Sequence, residues 1–211
     1  MSLSTLGFFW THFTCRIAKP DVDLSGRVCL VTGANQGFGL IFCLVSFSLI
    51  SFVFPSLGYA TVLHFARMNA SRIIIACRQV KKGEEAAAKV FKTCPSYRGK
   101  IDVMHLDLSS FDSVKAFAEK IDADPGRLDI AVLNAGVARY DWKVTADGWE
   151  ESLQVNYLST GLLAVLLLPK LEKSKAIPLE TSPPVSKRGS QKPHLVILSS
   201  DGERFARKMT V

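Results

Sequence analysis

Between Arg27 and Arg67 the chain has no Asp, Glu, Lys or Arg. A surface helix carries charged residues on its outer face, so so long a gap does not belong to an ordinary amphipathic segment. Metal-binding and dithiol patterns are missing too. The five cysteines (Cys15, Cys29, Cys43, Cys77 and Cys94) contain no CxxC pair and no zinc-ligand spacing. No metal site is expected, and an odd count within apolar stretches reads as buried free thiols in a reducing, cytoplasmic compartment. The first ten residues, MSLSTLGFFW, hold no Lys or Arg, so a secretory signal is not expected. In such a compartment the formal sequon Asn69-Ala70-Ser71 has no meaning. Acidic residues are scarce early, with 4 against 12 basic ones in 1–100, and 15 against 14 in 101–211. The net charge of +7 therefore sits in the first half. That favours an anionic ligand held locally. Nucleic acid would want a basic stripe interleaved with aromatics, and there is none.

What is present fits one folded domain. The 211 residues, 48% hydrophobic and 21% charged, exclude disorder and leave room for a single sizeable core. Short, mostly apolar runs occur at 27–32, 72–77, 101–106, 128–133 and 194–198, the pattern of buried parallel strands. Helical patterns fall between them, at 81–93 (KKGEEAAAKVFKT), 112–121 and 149–171, the last expected to stop near Pro169. Residues 173–193, with Pro178, Pro183, Pro184 and Pro193, read as an exposed Pro/Ser/Lys linker. Alternating strands and helices predict an α/β fold, a doubly wound parallel sheet of order 3-2-1-4-5. Its ligand would lie at the carboxyl edge, where the order reverses beside strand 1.

Strand 1 runs into Thr32-Gly33-Ala-Asn-Gln36-Gly37-Phe38-Gly39, a glycine-rich turn of the kind that lets backbone amides approach a pyrophosphate at a helix N-terminus. Two segments compete for the helix that should follow. Residues 40–54 (LIFCLVSFSLISFVF) are apolar all round, whereas 59–68 (YATVLHFARM) carries small and apolar residues on one side. Spacing separates them. The residue that reads the adenosine ribose stands about 20 residues past the turn, but Arg78, at the end of strand 2, lies about twice that far from Gly39. Removing 40–58 restores the distance and joins the text as TGANQGFGYATVLHFARM; a join at Leu57-Gly58, giving GLGYAT, serves equally. Residues 40–58 therefore read as an insertion, with a composition that suits translated non-coding sequence. The competing reading is a single-pass membrane segment over 38–58, which just reaches the ~20 residues needed to cross a bilayer. Spanning would part strand 1 from strands 2–5, so it and a formed nucleotide site exclude each other.

The order of motifs over about 20–205 resembles the short-chain dehydrogenase/reductase family, and ACR followed by KGEEAAAK resembles its retinol-dehydrogenase-like branch. The resemblance implies a Rossmann-like domain over 24–211, after an N-terminal extension of 1–23. It implies cofactor contacts from Gly33, Gln36, Gly37, Phe38 and Gly39, from Arg78, from Asp107 and Leu108, and from Asn134, Ala135 and Gly136. At Arg78 a carboxylate would bind a free 2′-hydroxyl, whereas a guanidinium pairs with a 2′-phosphate, so NADP is the expected cofactor. Asn156 matches the family's helix-kinking catalytic Asn, and Ser200, with Ser199 beside it, the Ser that orients substrate. The implied partner is a small-molecule alcohol, ketone or aldehyde, lipophilic or a secondary metabolite. The family's acid is a Tyr with a Lys four residues on. No Tyr here has that partner; Tyr140 with Lys143 comes nearest. The expectation is a C-terminally truncated domain with strand 5 as an unpaired edge, inactive as it stands. The alternative is a non-catalytic nucleotide-binding remnant or a membrane-anchored fragment.

Overall fold

A computed structural model describes residues 22–34, 56–138, 141–179 and 192–199. Five strands, β1 (Val28–Thr32), β2 (Arg72–Cys77), β3 (Lys100–His105), β4 (Ile130–Leu133) and β5 (His194–Ile197), form one parallel sheet in the order β3-β2-β1-β4-β5. This is the predicted order. Strand β1 is central and buried along all five residues, which is why its sequence is apolar without alternation. Strand β3 lies at one edge and can carry Lys100, Asp102 and His105. At the other edge of the described sheet Val196 and Ile197 stay 44% and 51% exposed.

Helices cover both faces. Helix α1 (Leu57–Arg67) and α2 (Val80–Thr93) pack on one, α3 (Phe111–Ala123) and α4 (Glu151–Ser174) on the other. The two-residue period of β1 divides its side chains between two cores. Cys29 and Val31 meet Val62 and Phe65 of α1, while Leu30 meets Phe117 of α3 and Leu163 and Leu167 of α4. Each fully buried Leu or Phe contributes about 1.5–3 kcal/mol. Helix α2 comes close to the sheet through small residues: a Cβ on Gly83 would lie 2.5 Å from Val103 Cγ1 and 2.7 Å from Cys77 Sγ.

The contest for the helix after β1 is decided at Ser56. Its hydroxyl accepts the backbone N–H of Tyr59 at 3.0 Å, and α1 then buries Gly58, Val62, Phe65 and Ala66 on one stripe. Leu57 and Gly58 therefore belong to a helix packed on the sheet, which corrects the expected insertion boundary and membrane segment at their last two residues. The tract before Ser56 lies outside the described residues, as do 1–21 of the N-terminal extension and 180–191 of the linker. Asn69 of the sequon sits at the α1 exit with φ of 59°, a left-handed turn residue.

Helix α4 does not stop at Pro169. It continues to Ser174, so the predicted linker begins two residues late, and the contacts beyond the proline explain why. Lys170 is buried and donates to the carbonyl oxygens of Asp122 and Asp124 at the end of α3. Ser174 Oγ accepts the N–H of Leu128 at 2.7 Å and donates to the Lys170 carbonyl at 2.8 Å. These buried bonds offset the ~3 kcal/mol a proline costs inside a helix. Among the described residues α4 is the one helix long and apolar enough to cross a bilayer, and Leu163 and Leu167 anchor it in the core instead.

Candidate functional site

The carboxyl ends of β1, β2, β3 and β4 open into one cleft, the place where the strand order reverses. Thr32, buried at the end of β1, ties its floor together. Its Oγ1 accepts the backbone N–H of Asn134 at 3.0 Å and of Ala135 at 2.9 Å, and its carbonyl accepts Asn134 Nδ2 at 3.0 Å. Gly33 follows with φ of 71°, and a Cβ there would stand 2.7 Å from Ala135 Cα. Only glycine meets both conditions. On the other side, a Cβ on Gly58 would lie 2.6 Å from Asn134 Nδ2, 2.8 Å from the Gly33 carbonyl oxygen and 3.0 Å from Ala34 Cα. The first turn of α1 is thus pressed onto the end of β1. A backbone cradle this close, facing a helix N-terminus, fits the diphosphate of a dinucleotide.

Seven of the expected site residues line this cleft: Gly33, Arg78, Asp107, Leu108, Asn134, Ala135 and Gly136. Arg78 leaves β2 exposed, and no carboxylate among the described residues pairs with it. Helix α2 starts just after it with Gln79 as N-cap, making no side-chain cap bond, and with no acid in the first turn. Asp107 does not cap α3; Ser110 does, accepting the Ser113 N–H at 3.3 Å. The Asp107 carboxylate instead accepts the N–H and hydroxyl of Ser109 at 2.9 and 2.7 Å, which holds it at the cleft wall. Leu108 borders the cleft but is buried in the core with Val114 and Phe117.

Asn156 lies in an irregular stretch of its helix. Residues Gln154–Ser159 form a π-helical turn within α4, and Thr160 Oγ1 donates to the Val155 carbonyl five residues back at 2.8 Å. From this turn the Asn156 amide clamps the loop that follows β4. Oδ1 accepts the Val137 N–H at 2.8 Å and Nδ2 donates to the Val137 carbonyl at 2.7 Å. A Cβ on Gly136 would meet that Oδ1 at 3.2 Å. Ser199 is exposed beyond β5 and does not line the cleft. Gln36, Gly37, Phe38, Gly39 and Ser200 lie outside the described residues.

Burial shifts two ionisable groups upward, Cys77 at the cleft and Tyr97 beside Lys100 at the amino end of β3. Burial raises the Cys77 thiol, and backbone hydrogen bonds at Gly83 and Gln79 only partly oppose it. Burial also pushes the Tyr97 phenol up, away from any role as a proton donor near neutral pH. Glu151, at the back of the cleft, is 3% exposed and pairs with Lys143 at 3.2 Å.

Thr32, Gly58, Val137 and Glu151 line or brace the cleft beyond the residues named from the sequence. Thr32 was signalled by standing directly before the first glycine of the turn, and Gly58 by the join that reads GLGYAT. Val137 and Glu151 carry no local signal.

The model of the short chain dehydrogenase family matches residues 54–177. The chain is 35% identical to the short-chain dehydrogenase/reductase phmF of Phaeosphaeria nodorum, across 75% of this chain and 41% of that protein. It is 36% identical to the short chain dehydrogenase virL of Hypocrea virens, across 89% and 49%. It spans less than half the length of these curated relatives. A solved metagenomic short-chain oxidoreductase in complex with NADP shares the fold, with a TM-score of 0.58 at 24% identity over 84% of this chain and 63% of that one. With the sheet order, the glycine cradle and the π-turn Asn in place, these matches make the chain a member of the short-chain dehydrogenase/reductase family.

Proposed function

We propose that this chain is the dinucleotide-binding part of an NADP-dependent short-chain dehydrogenase/reductase that interconverts an alcohol and a ketone or aldehyde. The observation that carries the reading is Arg78, exposed at the rim of the cleft at the end of β2 with no carboxylate of the described residues against it. A 2′-phosphate there gains a forked, charge-assisted pair, and the uncapped, acid-free start of α2 beside it adds a favourable dipole. Gly33 and Gly58 leave room for the diphosphate, and Asp107 stands where the family contacts adenine. When bound, the cofactor supplies or accepts hydride. This chain's residues bind and orient it: Asn134, Ala135 and Gly136 form the wall toward the reacting end, and Asn156 holds that wall in place. Ser200, next in sequence after the exposed Ser199, is proposed to orient the substrate oxygen. Val137 and Val155 line the far end of the cleft, which suits a lipophilic or secondary-metabolite substrate.

The four tyrosines, Tyr59, Tyr97, Tyr140 and Tyr157, lack a lysine four residues on. This favours a second reading for the 211 residues alone, cofactor binding without turnover. The alcohol–carbonyl chemistry then belongs to a polypeptide that carries that pair.

Fluorescence titration with NADPH and NADH tests the proposal. NADPH is expected to bind at least about tenfold more tightly, the worth of one charge-assisted contact. Arg78→Asp should remove or reverse that preference. Equal binding of both cofactors by the unaltered chain would overturn it.

A further inference from the structure

We infer that Glu151 reads the base of the bound nucleotide: its carboxylate accepts the exocyclic amine of adenine and turns away a base with an oxygen in that place. This rests on the cofactor reading for the ligand and goes beyond it in naming the residue that selects the base.

Glu151 opens α4, lines the cleft and is 3% exposed. A buried carboxylate is a poor way to stabilise a fold. The desolvation of an ion pair largely cancels its attraction, and an apolar side chain of similar size serves as well or better. Val155, one turn further along α4, lines the same cleft and is such a residue. The charge kept beside it is explained by what the cleft holds.

The surrounding chain holds that charge still. Residues 143–150 double back as a short hairpin, with an antiparallel bridge between Val144 and Glu150. Within it the Thr145 N–H donates to the Trp149 carbonyl at 2.8 Å, and the Gly148 N–H to the Thr145 carbonyl at 3.1 Å. Asp147 ties the hairpin down: its Oδ2 accepts the Phe111 N–H at the start of α3 at 2.8 Å and Gln154 Nε2 at 2.6 Å. Lys143, at the hairpin's base, grips Glu151 at two points. Its carbonyl accepts the Glu151 N–H at 2.8 Å, and its Nζ donates to Oε1 at 3.2 Å. A carboxylate offers about four acceptor positions, so the lysine orients the group without exhausting it.

The cleft around Glu151 has the polarity of an adenine nucleotide. Leu106, Leu108 and Val155 give it apolar walls that suit the faces of a planar ring. Arg78 supplies a guanidinium at the end of β2, while Asp107 and Glu151 bring carboxylates from β3 and α4. An ionised carboxylate accepts and cannot donate, so it matches an amino group and repels a carbonyl oxygen. Asp107 Oδ1 is already engaged by the N–H and hydroxyl of Ser109. Glu151 adds acceptor capacity for an amine that has two hydrogens to give. A site with buried acceptors rejects an analogue lacking the donor far more strongly than an apolar pocket rejects a change in size. Glu151 thus determines specificity for adenine over hypoxanthine.

Fluorescence titration of the full chain with NADPH and with its hypoxanthine counterpart tests this, with Tm measured without ligand. NADPH is expected to bind at least about tenfold more tightly than the counterpart. Glu151→Gln puts an amide donor where the carboxylate stood and is expected to remove or reverse that preference. Equal binding of the two by the unaltered chain overturns the inference. So does a Glu151→Gln that weakens both ligands by one factor, or lowers Tm, with the preference intact, since a purely structural role predicts that result. Should Glu151→Gln not fold, Glu151→Asp keeps the charge and withdraws it by one methylene. A reduced preference in that variant supports the inference, and an unchanged one overturns it. Titration with adenosine 2′,5′-bisphosphate and its inosine form separates the two readings. If the adenine form binds more tightly while NADPH does not bind, base selection stands and the dinucleotide reading falls; if neither form nor NADPH binds, both fall.

Discussion

Thr32 and Asn134, 102 residues apart, are hydrogen-bonded twice: the Asn134 N–H donates to Thr32 Oγ1 and its Nδ2 to the Thr32 carbonyl, each at 3.0 Å. The same hydroxyl takes the Ala135 N–H. One side chain therefore fixes the spacing of the β1 and β4 ends, and with it the width of the cleft. Thr32→Val preserves shape but strips the acceptor from two amides in a site that is 1% exposed at Thr32. Unsatisfied buried groups cost about 1–3 kcal/mol each, so a loss of about 2 kcal/mol in urea unfolding is expected, with weaker NADPH binding. Unchanged stability would show that water satisfies both amides.

At the opposite end of the sheet Asp129, 2% exposed, accepts the Val28 N–H at 2.9 Å and pairs with Arg127 at 2.5 Å. Arg127 also donates to the Ile177 carbonyl beyond α4. Asp129→Ala removes the bond to β1 and leaves a mostly buried guanidinium without its carboxylate. The expected cost is about 3 kcal/mol, read as a fall in urea midpoint at constant slope. Because this network lies at the amino ends of the strands, the NADPH/NADH preference should not change. A changed preference would mean the two ends of the sheet are coupled.

Acid should expose the Arg72 cluster. Arg72 Nε and Nη1 donate to Asp102 and Asp124, each at 2.6 Å, and Lys100 reaches Asp102 at 2.8 Å. Partial burial alone would raise both carboxyls. Hydrogen bonds from Lys100 and Arg72 to Asp102, and from Arg72 and the Gly126 N–H to Asp124, outweigh it and hold both below the ordinary Asp range. A carboxyl depressed in the folded state contributes stability fully above its unfolded pKa of about 4, and loses it as pH falls through the folded value. Urea midpoints should therefore fall below about pH 4, and Arg72→Met should flatten that acid limb. All three side chains keep between 21% and 25% of their surface exposed, so added salt should shrink the difference. An identical acid limb in wild type and variant would show that the pairs contribute nothing.

The sheet was legible because parallel strands buried on both faces leave a mark within six residues. The apolar runs at β1 and β2 need no knowledge of their neighbours. The same holds for Arg78 and for Asn134-Ala135-Gly136, placed by the strands they follow. Elements whose stability comes from afar were misread. A proline inside a helix reads as a stop, and only the bonds from Lys170 to Asp122 and Asp124, and from Leu128 to Ser174, show that α4 runs on.

The sequence alone determined the fold class, the strand order and the cationic end of β2, since strand pattern, glycine turn and charge are local properties of the chain. Only tertiary structure decided that Asn156 grips Val137 through a π-turn, and that Thr32 joins the two central strands. Each of those joins residues from 19 to 102 positions apart. No window of sequence contains both partners, because the energy that selects them arises only when the packed sheet brings them together.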